Sequence, residues 1–152
     1  LGLPFAFAHH FSSANTVPAL DLYRESFRPS EVLTEPYALI GVATVAADTP
    51  AQARRLAGSG ALSMLRLRRG QPGLVPSPEE AESYPYTDLE RDFVDSWLAN
   101  VVIGDVPRVR DGLEALRKLT GADELMITSN VHGHEARQHS YELVAEAYGL
   151  LG

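Results

Sequence analysis

Cysteine is absent from this 152-residue chain, which excludes disulfides, thiolate metal sites and a cysteine nucleophile together. The same absence fits a cytoplasmic location. Also missing is any apolar run near the ~20 residues that span a bilayer, and no charged region followed by a signal-like core opens the chain. Positive charge is scarce. With 13 Lys and Arg against 20 Asp and Glu the net charge is −7, which argues against nucleic acid or an anionic membrane as partner. An initiating methionine is lacking as well: Leu1 stands first, on a pattern that reads as the end of one helix and the start of a strand, so a fragment or processed product is expected. What is present, 45% hydrophobic and 22% charged residues, suits a soluble globular class with one core.

The segment Gly121 to Asn130, GADELMITSN, organises the rest. Gly121 closes a helical pattern, Glu124 to Thr128 is of strand length and mostly apolar, and Thr128, Ser129 and Asn130 turn polar before a new helix. This is a βα unit, and in parallel α/β sheets the carboxyl ends of the strands carry the site.

Two further strands are read upstream. Leu3 to Ala8 (LPFAFA) is a continuous apolar run ending at His9, His10 and Phe11, and Tyr37 to Ala47 is rich in β-branched residues. A helix capped at Asn15 or Thr16 buries Ala19, Leu20, Tyr23 and Phe27. Thr49, Pro50 and Gln52 announce another, with Ala53, Leu56, Ala57, Gly60 and Met64 as its stripe. Residues 69–86, with Gly70, Pro72, Gly73, Pro76, Pro78 and Pro85, read as an inserted loop or lid carrying one helical turn at Pro78 to Glu82. Thr87 and Glu90 make a capping box for a helix whose face would hold Leu89, Phe93, Trp97 and Val101. Val109, Leu113 and Leu116 mark the next helix. Ala136, Ser140, Leu143, Val144 and Ala147 mark the last. No repeat of fixed period is present. The expected class is α/β with parallel pairing, in a single domain over residues 1–152. Three such strands cannot close a barrel, and as an open sheet they expose two edges, so further sequence or a partner is expected to complete them.

Leu1–Phe11 (LGLPFAFAHHF), Tyr23–Ser30 (YRESFRPS), Ala46–Leu56 (AADTPAQARRL), Leu65–Gly70 (LRLRRG), Gly121–Ser129 (GADELMITS) and Ala136–Glu142 (ARQHSYE) together resemble the C-terminal part of the luciferase-like flavin-dependent monooxygenases, the alkanal monooxygenase-like group. The resemblance implies about three βα units of a (β/α)8 TIM barrel, the sixth to eighth strands, with the first five and the flavin-phosphate loop upstream of Leu1. It implies oxidation of a small organic substrate by O2 with reduced FMN, the deazaflavin F420 being the other cofactor it leaves open. It also implies either a homo-oligomer or a missing N-terminal half. The protein's task would be to orient the ring, exclude water and admit substrate.

His9, His10 and Phe11 at one strand end, and Thr128, Ser129 and Asn130 at another, are the expected cofactor-binding residues. Adjacent strand residues point to opposite faces, so at most one of the two histidines looks into a barrel. Without a cofactor, one histidine packs under a helix, the other is solvated, and the Thr-Ser-Asn run is a turn and cap. No metal ligands are assigned. His132, His134 and His139 with His9 or His10 raise a metal-dependent hydrolase only as third choice, because Glu135 is the single carboxylate in those loops. A noncatalytic module that depends on association is the second choice. Arg66, Arg68 and Arg69 end a helix where cations suit its dipole. Glu79, Glu80, Glu82, Asp88, Glu90, Asp92 and Asp95 read as an exposed face.

Overall fold

The computed structural model describes residues 2–150. Its elements in order are β1 (Phe5–Phe7), α1 (Thr16–Ser26), β2 (Ala38–Ala46), α2 (Pro50–Arg68), α3 (Pro78–Ser83), α4 (Asp88–Leu98), β3 (Val102–Gly104), α5 (Val106–Thr120), β4 (Glu124–Thr128) and α6 (His134–Ala147). Every strand pairing is parallel. The described residues fall into two compact units, 2–43 with 112–128 and 44–111 with 129–150. No helix among them is long and apolar enough to cross a membrane.

In the first unit β2 lies between β1 and β4, with Ala6 opposite Leu39 on one side and Glu124, Met126 and Thr128 opposite Leu39, Gly41 and Ala43 on the other. Residues side by side in a parallel ladder share a face, so this register sorts the sheet into two. Ala38, Ile40 and Val42 on one face are at most 1% exposed. Leu20 of α1 is fully buried, and Tyr23 of α1 stacks on Phe5 with ring centroids 5.1 Å apart. The opposite face is bare: Ala6 and Glu124 are exposed, Leu39 and Ala43 are half-buried and Met126 is 53% exposed. Parallel sheets normally bury both faces. β1 and β4 each pair on one side only among the described residues, so the unit carries the two open edges expected from three strands.

Polar ties close this unit. Asp123 accepts the Ala38 N–H at 2.8 Å, and the Arg24 guanidinium donates to the Thr120 and Gly121 carbonyls, each at 2.8 Å. Those carbonyls belong to the end of α5, where they have no helical partner. Gly121 ends that helix with φ +61°, the conformation that favours glycine.

In the second unit Thr44–Ala46 of β2 pair with β3. β3 is absent from the sequence reading: Val101 belongs to its approach and not to α4, which stops at Leu98. Leu89 is 82% exposed, so it is not part of the α4 face. Glu90 takes the buried place at 6% exposed, because its carboxylate accepts the Thr87 N–H at 2.8 Å and completes the capping box. That bond, above all, holds its carboxyl below the usual range, and Arg69 stands 2.7 Å away. Thr49 caps α2 by accepting from the Gln52 N–H, but α2 buries Leu62 and Leu65 besides the small residues Ala53, Ala57, Gly60 and Ala61.

Among the described residues, two hydrophobic clusters pack in this unit. Val45, Ala57, Ala61, Leu98 and Val131 make one, with Trp97, Ile103 and Ala136 against it; Leu62, Leu65 and Ala81 make the other, with Tyr84, Tyr86 and Phe93. Ala81 comes from α3, which Ser77 caps at the place expected for a helical turn. The acidic run is largely paired: Arg55 holds Glu79 and Glu82, Arg66 holds Glu80 at 2.6 Å, and Arg54 reaches Asp95 at 3.5 Å. The Arg55 contact draws the Glu79 carboxyl down to about 2. Arg68 lies over the Phe93 ring, 4.7 Å from its centroid.

Candidate functional site

The candidate residues of the first unit follow β1 and end β4. The two histidines lie in the turn that follows β1 and not on an extended strand, so alternation does not decide their directions. His9 is 9% exposed, and its Nδ1 lies 2.8 Å from the Thr16 hydroxyl at the start of α1. Burial, and then the neighbouring His10, push its pKa below 6.5. His10 turns onto the bare face. Its backbone N–H and its Nδ1 both reach the Gly41 carbonyl, each at 3.0 Å. A carbonyl only accepts, so Nδ1 carries the proton, and in the neutral ring Nε2 is left as an acceptor.

Gly41 makes that placement possible. A Cβ there would stand 2.9 Å from His10 Nδ1 and 3.0 Å from Cε1, so the ring occupies the volume that any other residue would fill. Phe11 is 69% exposed and tilts against His10 with centroids 4.3 Å apart. Thr128, half-buried, places its hydroxyl 3.4 Å from the Val42 carbonyl.

Ser129 and Asn130 belong to the second unit. The Ser129 N–H donates to the Tyr141 hydroxyl at 3.0 Å, and its own hydroxyl oxygen is 3.3 Å from that of Ser140. Ser140 accepts the Ala46 N–H at 2.9 Å. The sequence shows Ser140 only as a small member of an apolar helix stripe; nothing local signals that it takes over a strand amide. Asn130 is exposed, and its carbonyl would lie 2.8 Å from a Cβ on Gly60.

The remaining histidines have separate partners. His132 Nδ1 donates to the Val75 carbonyl at 2.8 Å, and His139 Nε2 lies 2.8 Å from Asp48. Among the described residues no three His, Asp or Glu side chains converge as a metal site would require. Asp48 raises the His139 pKa above 6.5, through the hydrogen bond first.

An NMR pH titration should therefore find His9 titrating below 6.5 and His139 above it. The stability terms have opposite signs. His9 contributes above 6.5, a contribution lost as pH falls through its folded pKa; His139 contributes below 6.5, a contribution lost as pH rises through its folded pKa. Asp48→Asn should return His139 toward its ordinary value and leave His9 unmoved.

The chain has relatives among known proteins. The chain is 38% identical to a luciferase-like monooxygenase of Escherichia coli (strain K12) over 146 residues, 96% of this chain and 44% of that protein. The crystal structure of apo-MsnO8 superposes with a TM-score of 0.85 at 33% identity, over 99% of this chain and 46% of that one. The chain belongs to the luciferase-like monooxygenase family. This luciferase-like chain spans less than half the length of the curated relatives it matches. Its fold is also similar to the oxygenating constituent of 3,6-diketocamphane monooxygenase from the CAM plasmid of Pseudomonas putida, a type II Baeyer-Villiger monooxygenase in complex with FMN (TM-score 0.52, 21% identity, 95% of this chain and 41% of that one). No protein-family model matches the chain.

Proposed function

We propose that this chain supplies part of the flavin-binding wall of a luciferase-like monooxygenase, as the C-terminal three βα units of a barrel, with residues 69–86 as an insertion. The bare face of the first unit's sheet carries the reading. Ala6, Gly41 and Ala43 present almost no side chain there, Leu39 and Met126 flank them, and the His10 ring stands over Gly41. A shelf of that kind accepts one face of a planar ring, and the volume that a Cβ on Gly41 would fill is given to an imidazole with a free acceptor nitrogen. The residues present therefore fit a flavin. The FMN seen with the Pseudomonas putida protein makes FMN the first choice, ahead of F420.

When bound, the reduced flavin supplies the electrons for O2 activation. The chain's own residues then have distinct tasks. Leu39, Ala43 and Met126 exclude water from one side of the ring. His10 offers Nε2 to a hydrogen-bond donor of flavin or substrate, and Phe11 extends the apolar wall. Thr128 supplies a hydroxyl at the end of β4. His9, bonded to Thr16, ties the turn after β1 to the start of α1. A small organic molecule and O2 are the proposed co-substrates.

The protein extended upstream through the strands that would close the barrel should bind FMN saturably and consume O2 when the flavin is reduced. No binding at high micromolar FMN would refute the proposal. A second reading is favoured by the unpaired edges of β1 and β4: an association-dependent module without catalysis of its own. Sedimentation separates the two, since the module would run as a dimer or larger and bind no flavin.

A further inference from the structure

Arg55 and Arg66 stand about three turns apart on α2 and so share one of its faces, and both reach α3. They are used unequally. Arg55 holds two carboxylates, Glu79 through Nη2 and Glu82 through Nε. Arg66 holds one, Glu80 at 2.6 Å through Nη2, although its side chain is the less exposed of the two, 28% against 43%. Its guanidinium carbon lies 6.0 Å from the centre of the Tyr84 ring. A guanidinium carries five N–H donors in a planar fork, and those that Glu80 does not use meet no acceptor among the described residues. Arg66 therefore has room for the second carboxylate that Arg55 already holds.

Arg66 lines an open cleft of about 580 Å³ at this end of α2, within the size range of small-molecule sites. Gln71 lines it too: its backbone N–H donates to the Arg66 carbonyl at 2.9 Å, and its side-chain amide has no partner among the described residues. Leu74 and Val75 give the cleft an apolar side, and Leu74 is 93% exposed. The His132 Nδ1 donates to the Val75 carbonyl at 2.8 Å, which ties the segment carrying Gln71 and Leu74 to the residues before α6.

We propose that this cleft binds a small organic carboxylate. Arg66 and the Gln71 amide donate to its oxygens, Leu74 and Val75 cover its apolar body, and His132 is a positioning residue that holds the covering segment in place. An inorganic anion would leave the apolar side unused. The site lies wholly within the second unit and does not depend on the flavin reading.

Amide NMR titration of the 152-residue chain with benzoate tests it, with benzamide and inorganic phosphate as controls. Benzoate has the carboxylate and an apolar body, benzamide the body without the charge, and phosphate the charge without the body. Benzoate should shift the Arg66, Gln71, Leu74 and His132 amides saturably, and neither control should match it. Arg66→Gln should weaken binding about tenfold, the loss of a hydrogen bond to a charged group. Glu80→Gln should do the opposite and tighten it about threefold, because it removes a carboxylate that competes for the guanidinium in an exposed ion pair. A pair that merely fastened α3 would not give that sign. His132→Ala should weaken binding, and His132→Asn, whose amide can donate to the Val75 carbonyl in place of Nδ1, should retain it. Glu80→Gln decides the matter if Arg66→Gln fails to fold. No saturable shift at these amides, benzamide or phosphate binding as well as benzoate, or an affinity that does not rise in Glu80→Gln overturns the proposal.

Discussion

Replacing Gly60 by valine should destabilise the second unit by about 3 kcal/mol, at the upper end of what overpacking costs. Glycine in the middle of a helix is ordinarily a weakness, and alanine there would gain up to ~1 kcal/mol in propensity. Here that gain is overridden. A Cβ on Gly60 would meet the Asn130 carbonyl at 2.8 Å and Trp97 Cη2 at 3.2 Å. The first contact is with backbone, which cannot rotate away, and the second is with a ring packed into the core cluster of Val45, Ala57, Ala61, Leu98 and Val131. Relief requires moving the segment Ser129 to Val131 off α2. Urea unfolding of the variant should show the loss, and the Ser129 and Asn130 amides should shift in the folded state. An unchanged midpoint would mean that the loop after β4 is not seated on α2.

Replacing Gly41 by valine should do the reverse, sparing the fold and removing the function. Valine suits a central strand, and the space above Gly41 is occupied by one side chain, that of His10. The branched side chain would displace the imidazole, break its bond to the Gly41 carbonyl and raise a knob on the otherwise flat shelf. In the protein extended upstream, FMN affinity should fall at least about tenfold, a loss of ~1.4 kcal/mol, with unfolding little changed. His10→Ala removes only the imidazole and should cost less. Equal flavin affinity in the Gly41→Val protein would remove His10 and the bare face from the cofactor site.

Where local chemistry decides an element, the sequence shows it. Glu124–Thr128 is a strand over the residues expected, because Gly121 stops the preceding helix and the apolar run is bounded on both sides. The Thr87 and Glu90 capping box is likewise local, and it is formed. β3 is different. Three residues are too few to display a period, and they become a strand because Thr44–Ala46 offer them a partner far away in the chain. Leu89 misled for a related reason: helical spacing identifies a face, but the buried capping carboxylate of Glu90 sets how α4 is turned.

The candidate site divides in the same way. Strand alternation does not apply to His9 and His10, which lie in the turn after β1, but the carboxyl ends of β1 and β4 are legible as polar residues following apolar runs. The placing of His10 over Gly41 is not, since it depends on a register between residues 31 apart in sequence. Nor is Ser140 legible as the acceptor of the Ala46 N–H, which joins residues 94 apart. Both are consequences of packing, and both involve residues whose sequence context says only that they are small or polar.

A bare face and two open edges on one sheet describe a wall and not an enclosed pocket. Ligand sites bind tightly by burying most of the ligand. The direct measurement is the FMN affinity of the 152-residue chain, taken on material shown by sedimentation to be monomeric, then repeated after adding a separately expressed N-terminal portion of the same enzyme. Weak binding is expected for the chain alone, no tighter than about 100 μM, with no turnover and a gain in affinity on mixing. Submicromolar FMN binding by the demonstrated monomer would contradict it.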